Sequence, residues 1–236
     1  MESLTLLPRR PKENNRAYAY RLLRYNIMTL VLPPGCAINE NEIAEQLGIS
    51  RTPVHEALSL LKNDYLVEIL PQSGSFITKI SLRNVREGVF MRTTLEPAIF
   101  RQLAGSIQEA SLNAMAENLE QTEAMILSGS DDSLDRYIKL DDRFHRIAYL
   151  AAQKPTLWTA MKTVCSHFQR IRYQEYLILH VDMEHVCTEH RQLYEYLLFG
   201  GSNSFDLDGF YDHHLSHFKD HLPLLIEKHP EYYTMD

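Results

Sequence analysis

Between residues 16 and 30 the apolar residues Tyr20, Leu23, Ile27 and Leu30 recur at three- and four-residue steps, the spacing of one helical face. "LPPG" at 32–35 is expected to end that helix, since proline cannot continue it and glycine permits the turn. Ile43, Ala44 and Leu47 mark a short second helix, with Gly48 placed for a left-handed cap. Ser50 or Thr52 can cap a third, with Pro53 in its first turn and Val54, Ala57, Leu58 and Leu61 on its buried face. "LVEILPQSGSFITKI" at 66–80 alternates in part around a "PQSG" turn and predicts a β-hairpin. After Lys79 strand signals vanish. Helical stretches are predicted at 82–104, 108–127, 132–152, 155–180, 183–199 and 207–228, broken at "SGSDDS" and "GGSNSFD".

The pattern therefore predicts a mainly α protein. An N-terminal winged helix–turn–helix of three helices plus a β-hairpin precedes a C-terminal all-α bundle of six to seven helices. A length of 236 residues agrees with two domains. The expected division is a basic N-terminal arm over 1–15, a winged helix over 16–80 and a helical domain over 81–236.

Charge sharpens this division. The net charge of −7 argues against a phosphate-binding protein until it is located. Residues 1–79 hold nine Lys and Arg against eight Asp and Glu, so the acidity belongs to the remainder. Arg9, Arg10, Lys12, Arg16, Arg21 and Arg24 precede position 25, against only Glu2 and Glu13. Such an arm is either phosphate-facing or a solvated charged terminus. Three cysteines without CxxC spacing argue against a disulfide framework, and no run is long and apolar enough to span a membrane. The expectation is a cytoplasmic protein with no membrane partner.

Two constellations carry chemistry. In a helix–turn–helix the N-terminal end of the second helix meets bases and phosphates, which here means Ser50, Arg51, Thr52 and His55. Arg51 can reach guanine bidentately or clamp a phosphate, and the hydroxyls suit the backbone. Arg16 and the wing glycine, Gly74, complete the expected DNA-binding set. In "DDRFHRI", Asp141 and His145 stand at i and i+4, on one helical face and within reach of one cation. The same spacing also serves a surface hydrogen bond. His190 and His214 sit on later helices that a bundle can bring to the same point.

"LPPGCAINENEIAEQLGISRTPVHEAL" followed by "LVEILPQSGSFITKIS" resembles the winged-helix domain of the GntR family of bacterial transcription regulators. "MRTTLEPAIFRQLA", "DDRFHRIAYLAA" and "HLSHFKDHLPLLIEKHPEYY" resemble the FCD ligand-sensing domain of its FadR branch. The resemblance implies a homodimeric, non-enzymatic regulator that reads a palindromic operator in double-stranded DNA. It implies a divalent metal (Zn, Ni, Fe or Mn, zinc first) on Asp141, His145, His190 and His214, with His213 and His217 as competitors for the last place. It implies a small carboxylate-type effector at the metal's open positions. Arg92, in an R-x-x-x-E motif, would hold that acid or else pair with Glu96 at i+4. "RIRYQEY" at 170–176 is expected to put Arg172 and Tyr173 toward the pocket.

The chain departs from the family pattern at three positions. His55 replaces an arginine, Ser73 replaces a basic residue before the wing glycine, and Tyr65 stands where "EGL" commonly ends the recognition helix. The basic arm is expected to offset part of the lost charge. His167, His180, His185, His213, His217, His221 and His229 have no motif support and are expected to be surface or core residues. Trp158, Tyr173 and Phe168 are expected in the core. A metal-dependent hydrolase using the His/Asp site is the alternative, but no HExxH or nucleophile motif supports it.

Overall fold

The computed structural model describes residues 3–128, 133–179, 183–201 and 204–235. His180 and parts of both predicted breaks lie outside them. The chain folds as two compact units. The first comprises Met1–Gly88, Thr163–Leu177 and Leu222–Asp236, and the second Val89–Lys162 and Ile178–His221.

In the first unit, α1 (Asn15–Met28) starts at Asn14, whose side chain accepts the Ala17 N–H at 2.9 Å. Leu22, Leu23 and Ile27 are buried, and the helix packs on α3 (Arg51–Asn63). Leu30 is not on the stripe as predicted: the helix has already ended and Leu30 sits at φ +63°. α2 (Glu40–Leu47) ends on Gly48 at φ +62°, and Ile49 donates back to the Ala44 carbonyl at 3.1 Å, closing the left-handed cap. Ser50 occupies the position before α3 without a capping bond from its side chain, and Val54, Ala57, Leu58 and Leu61 are buried as expected. The wing is β2 (Val67–Leu70) antiparallel to β3 (Gly74–Ile77), and β1 (Ala37–Ile38) adds a third strand in the order β1-β3-β2.

The N-terminal segment is docked rather than a loose arm. Leu4 is buried and its N–H reaches Gln46 Oε1 at 2.8 Å. Buried Asn26 accepts the Thr5 N–H at 2.8 Å and donates to the Thr5 carbonyl at 3.0 Å. A buried amide needs such partners, so burying Asn26 fixes the segment's register.

Two corrections concern the chain beyond Lys79. Strands do recur: β4 (Ile80–Ser81) pairs in parallel with β5 (Tyr233–Thr234), and two-residue strands leave no periodicity to read. The helix predicted over 155–180 breaks into α7 (Pro155–Val164), α8 (Ser166–Gln174) and a π-helical turn over 175–179. Every residue of α8 is buried, charged ones included. Gly88, on α4 (Leu82–Leu103), allows a close approach: a Cβ there would stand 3.2 Å from the Cys165 Cα.

The second unit holds the rest of α4, then α5 (Glu109–Ser128), α6 (Ser133–Ala151), α9 (Met183–Leu198) and α10 (Leu207–His214). α5 packs on α6 and α9 over a core that includes Met115, Leu119, Phe144 and Leu193. The helix predicted over 207–228 breaks at 215–217, before α11 (Phe218–Lys228). Phe168 and Tyr173 are core residues, but Trp158 is only half-buried, edge-on to Tyr149 at 5.5 Å. Among the described residues no helix is long and apolar enough to cross a membrane.

Candidate nucleic-acid face and metal centre

Ser50, Arg51, Thr52 and His55 are exposed at the start of α3. Arg16 is exposed in the first turn of α1, and Gly74 is exposed at the wing tip with φ +107°. Sequence reasoning missed what holds the first set. Glu40, at the start of α2, receives Arg51 Nε at 2.6 Å on one carboxylate oxygen and His55 Nδ1 at 3.0 Å on the other. Burial raises the Glu40 pKa, but the hydrogen bonds from His55 and Arg51 outweigh it and the net shift is downward. The shielded carboxylate thus holds the side chains of Arg51 and His55, two residues of the expected DNA-binding set. Within the basic segment, Arg21 is paired to Glu13 at 2.7 Å and Arg9 stacks over the Tyr18 ring at 4.2 Å. Arg10, Lys12 and Arg16 remain exposed.

Tyr65 shows why glycine suits its position. Its φ is +60°, a region that costs an L-residue about 1–2 kcal/mol. The surroundings compensate: Thr78 Oγ1 donates to the Tyr65 carbonyl at 2.7 Å, and buried Arg170 donates to the Thr78 carbonyl at 2.7 Å.

In the second unit, α4, α6, α9 and α10 converge on a buried polar cluster. His145, His190 and His214 bring ligand nitrogens within 4.8 Å of one another. Asp141 Oδ1 lies 3.7 Å from His190 Nε2. His145 Nε2 and His190 Nε2 are 3.2 Å apart. Two nitrogens held ~2.0–2.1 Å from one tetrahedral ion would be separated by about 3.4 Å, so the pair has nearly the spacing of metal ligands.

Two carboxylates not predicted for this role orient the imidazoles. Glu96 Oε2 lies 3.0 Å from His145 Nδ1, and Glu189 Oε2 lies 2.6 Å from His214 Nδ1. Glu189 is hydrogen-bonded to His214 at Nδ1, whereas Glu96 stands against His145 Nδ1 at ion-pair distance. A carboxylate at Nδ1 leaves Nε2 free to act as a ligand, the usual outer support of a histidine ligand. Aromatic rings fix the planes: Phe144 stacks on His190 at 4.6 Å and Phe210 on His214 at 5.6 Å.

Of the two roles expected for Arg92, the structure shows the ion pair with Glu96. Arg92 Nε lies 2.6 Å from Glu96 Oε1, and Nη2 lies 3.0 Å from His145 Nε2. Burial raises the Glu96 pKa, but Arg92 and His145 outweigh it and hold the carboxyl well below the usual range. Glu189 is brought down to about 2 because hydrogen bonds from His214 and His217 outweigh its burial. Burial lowers the His214 pKa more than Glu189 raises it, which favours the neutral form a metal needs.

The buried set therefore holds three carboxylates, Glu96, Asp141 and Glu189, against one guanidinium, Arg92. With neutral imidazoles that is a net charge of −2, costly to bury and cancelled by one divalent cation. The donor set fits a metal ion. Arg172, also expected near the effector, lies on α8 in the first unit.

Two family models match the chain. "Bacterial regulatory proteins, gntR family" covers residues 15–77 and "FCD domain" covers 87–200. The Escherichia coli K12 HTH-type transcriptional repressor RspR is 33% identical over 157 residues, 66% of this chain and 68% of that one. An uncharacterized HTH-type transcriptional regulator from Streptomyces ambofaciens is 30% identical over 184 residues, 77% of this chain and 74% of its own. Among solved structures, E. coli McbR/YncC superposes with a TM-score of 0.70 at 19% identity, over 92% of this chain and 99% of that one, a likeness of fold.

Proposed function

The chain belongs to the GntR family of bacterial regulatory proteins and carries an FCD domain, and on that premise we propose that it is a metal-dependent sensor of a small organic acid. It is a DNA-binding transcription regulator of the GntR/FCD type, not an enzyme. In our reading residues 16–80 bind DNA and 81–236 sense the ligand and dimerise. Two copies read a palindromic operator in the cytoplasm through Arg16, Ser50, Arg51, Thr52, His55 and Gly74.

The observation that carries the sensing role is the buried excess of carboxylates, three against one guanidinium, beside three imidazoles whose nitrogens converge. Asp141, His145, His190 and His214 would hold a divalent transition ion, zinc first among Zn, Ni, Fe and Mn. That ion supplies a Lewis-acidic point where a carboxylate can bind. Arg92 supplies the matching guanidinium, already at the cluster and fixed by Glu96. An acid at this point would draw Nη2 from His145 toward its own oxygens, exchanging one partner for a charged one. For Arg172 the effector role rests on the sequence pattern alone.

The test is a gel shift of the full chain against DNA upstream of its own gene, with and without candidate acids. The effector is expected to change operator affinity by about 5–150-fold, the usual range of allosteric coupling, and chelation should abolish that response. No DNA binding at low salt would overturn the DNA reading; an effector response that survives metal removal would overturn the metal reading.

Glu40 offers a separate test of the recognition face. Glu40→Gln removes the charge that offsets Arg51, so one more cation is available to phosphate. The plot of log affinity against log salt is expected to steepen by about 1, with tighter binding at low salt. An unchanged slope would remove Arg51 from the phosphate contacts.

A further inference from the structure

We propose that His185, Glu189, His213 and His217 form a second transition-metal site, open to solvent and joined to the inner cluster through Glu189. Four ligand atoms from these residues lie within 4.8 Å of one another. They come from two segments, each contributing residues at i and i+4: His185 and Glu189 on α9, His213 and His217 across the end of α10. On α9 that spacing places His185 and Glu189 over one point, and His213 and His217, either side of the turn that ends α10, bring their nitrogens to the same carboxylate.

Hydrogen bonding accounts for only one of the three approaches. His217 Nε2 is 2.9 Å from Glu189 Oε1, an ordinary hydrogen bond. His185 Nε2 stands 3.5 Å and His213 Nε2 3.9 Å from that same oxygen, a limiting and an excessive length for a direct bond. All three nitrogens nevertheless lie within 4 Å of one carboxylate oxygen. Ligand atoms ~2.0–2.2 Å from a shared tetrahedral ion sit roughly 3.3–3.6 Å apart, which the three separations bracket. The rings are nearly perpendicular where they pack, His213 on His217 at 4.7 Å and His185 on His217 at 5.1 Å, so their nitrogens converge without stacking.

Three imidazoles and one carboxylate select a first-row transition ion such as Zn²⁺, Ni²⁺, Co²⁺ or Cu²⁺ over Mg²⁺ or Ca²⁺, which prefer all-oxygen shells. His185 and His213 side chains are 56% and 68% exposed, so this ion exchanges with solvent faster than one at the buried cluster. Glu189 faces both sites: Oε2 holds His214 Nδ1 and Oε1 faces the outer three histidines. Occupancy outside therefore acts directly on a carboxylate that orients an inner ligand.

The experiment titrates the chelator-stripped full chain with Co²⁺, read by its visible absorption, for the wild type, His185→Ala/His217→Ala and His145→Ala. The wild type is expected to take two equivalents, the outer double variant one, and His145→Ala one of weaker affinity. Mg²⁺ should compete with neither. His185 is at the surface and His217 is half-buried, and an unchanged circular dichroism melt confirms that the double variant folds. Two equivalents retained by the double variant, or a single wild-type equivalent that His145→Ala abolishes, would overturn the outer site. A single wild-type equivalent that survives His145→Ala and disappears in the double variant would support the outer site and refute the inner one.

Discussion

Alanine at position 145 is expected to strip the inner cluster of the metal proposed there. His145 joins the elements of that cluster: Nδ1 faces Glu96 from α4, and Nε2 lies against His190 from α9. Its loss removes one of four donors and leaves Glu96 still paired to Arg92. Disturbing an outer partner of a metal ligand costs about 10–100-fold in affinity, so removal of the ligand itself should exceed 100-fold. Glu96→Gln supplies the internal comparison and should fall within the smaller range, since Gln can still accept from His145 Nδ1. Elemental analysis after dialysis against a dilute chelator reads both variants. DNA binding without effector should persist in His145→Ala, because the residues proposed to contact DNA lie in the first unit, while the proposed response to acid should disappear. Full metal retention by the variant would remove His145 from the donor set.

That Asp141 and His145 fall in one buried cluster was legible in the sequence because i,i+4 spacing on an amphipathic helix is a local property. Asp141 and His145 share a face whatever the tertiary fold. Their supporting carboxylates were not legible: Glu189 precedes His190 by one residue but serves His214, 25 positions away. Glu96 was visible only as an i+4 partner for Arg92, and its second role toward His145 depends on how α4 meets α6. Glu40 is the same case in the first unit, acting on residues 11 and 15 positions later across a turn. The outer histidines carried no motif, since two ordinary i,i+4 pairs acquire meaning only when two segments face each other.

The fold followed a similar rule. Helices with an apolar stripe and the wing with its turn were predicted near their observed places. What failed was the continuity of helix over 155–180 and 207–228. A fully buried helix has no solvent face, and α8 fills its surroundings with His167, Gln169, Arg170, Arg172 and Gln174, so polarity there reads as exposure. Those residues have long-range work instead. Arg170 donates to the Thr78 carbonyl, and His167 Nδ1 accepts the Ser81 N–H at 3.0 Å. Together they fix the chain as it leaves the wing.

His167 makes this anchor sensitive to acid. Burial first, and the neighbouring Arg170 charge second, hold its pKa down from 6.5 to about 4, against a smaller opposing pull from the Tyr65 carbonyl. Between those two values the unfolded chain binds a proton at His167 and the folded one does not. Stability therefore falls as pH drops through that window, by about 3 kcal/mol over its full width. Neutral Nδ1 is also the acceptor for Ser81, so protonation puts an N–H against an N–H. His167→Asn keeps an acceptor oxygen near the Nδ1 position and removes the titration; alanine would instead orphan the Ser81 amide. Urea unfolding followed by circular dichroism at pH 7 and pH 4.5 separates the two contributions. The wild type is expected to lose about 2–3 kcal/mol more than His167→Asn between those conditions, with Glu189 contributing only below pH 4.5 in both. Equal losses would mean that His167 already carries its proton in the folded state and that the anchor after the wing rests on Arg170 alone.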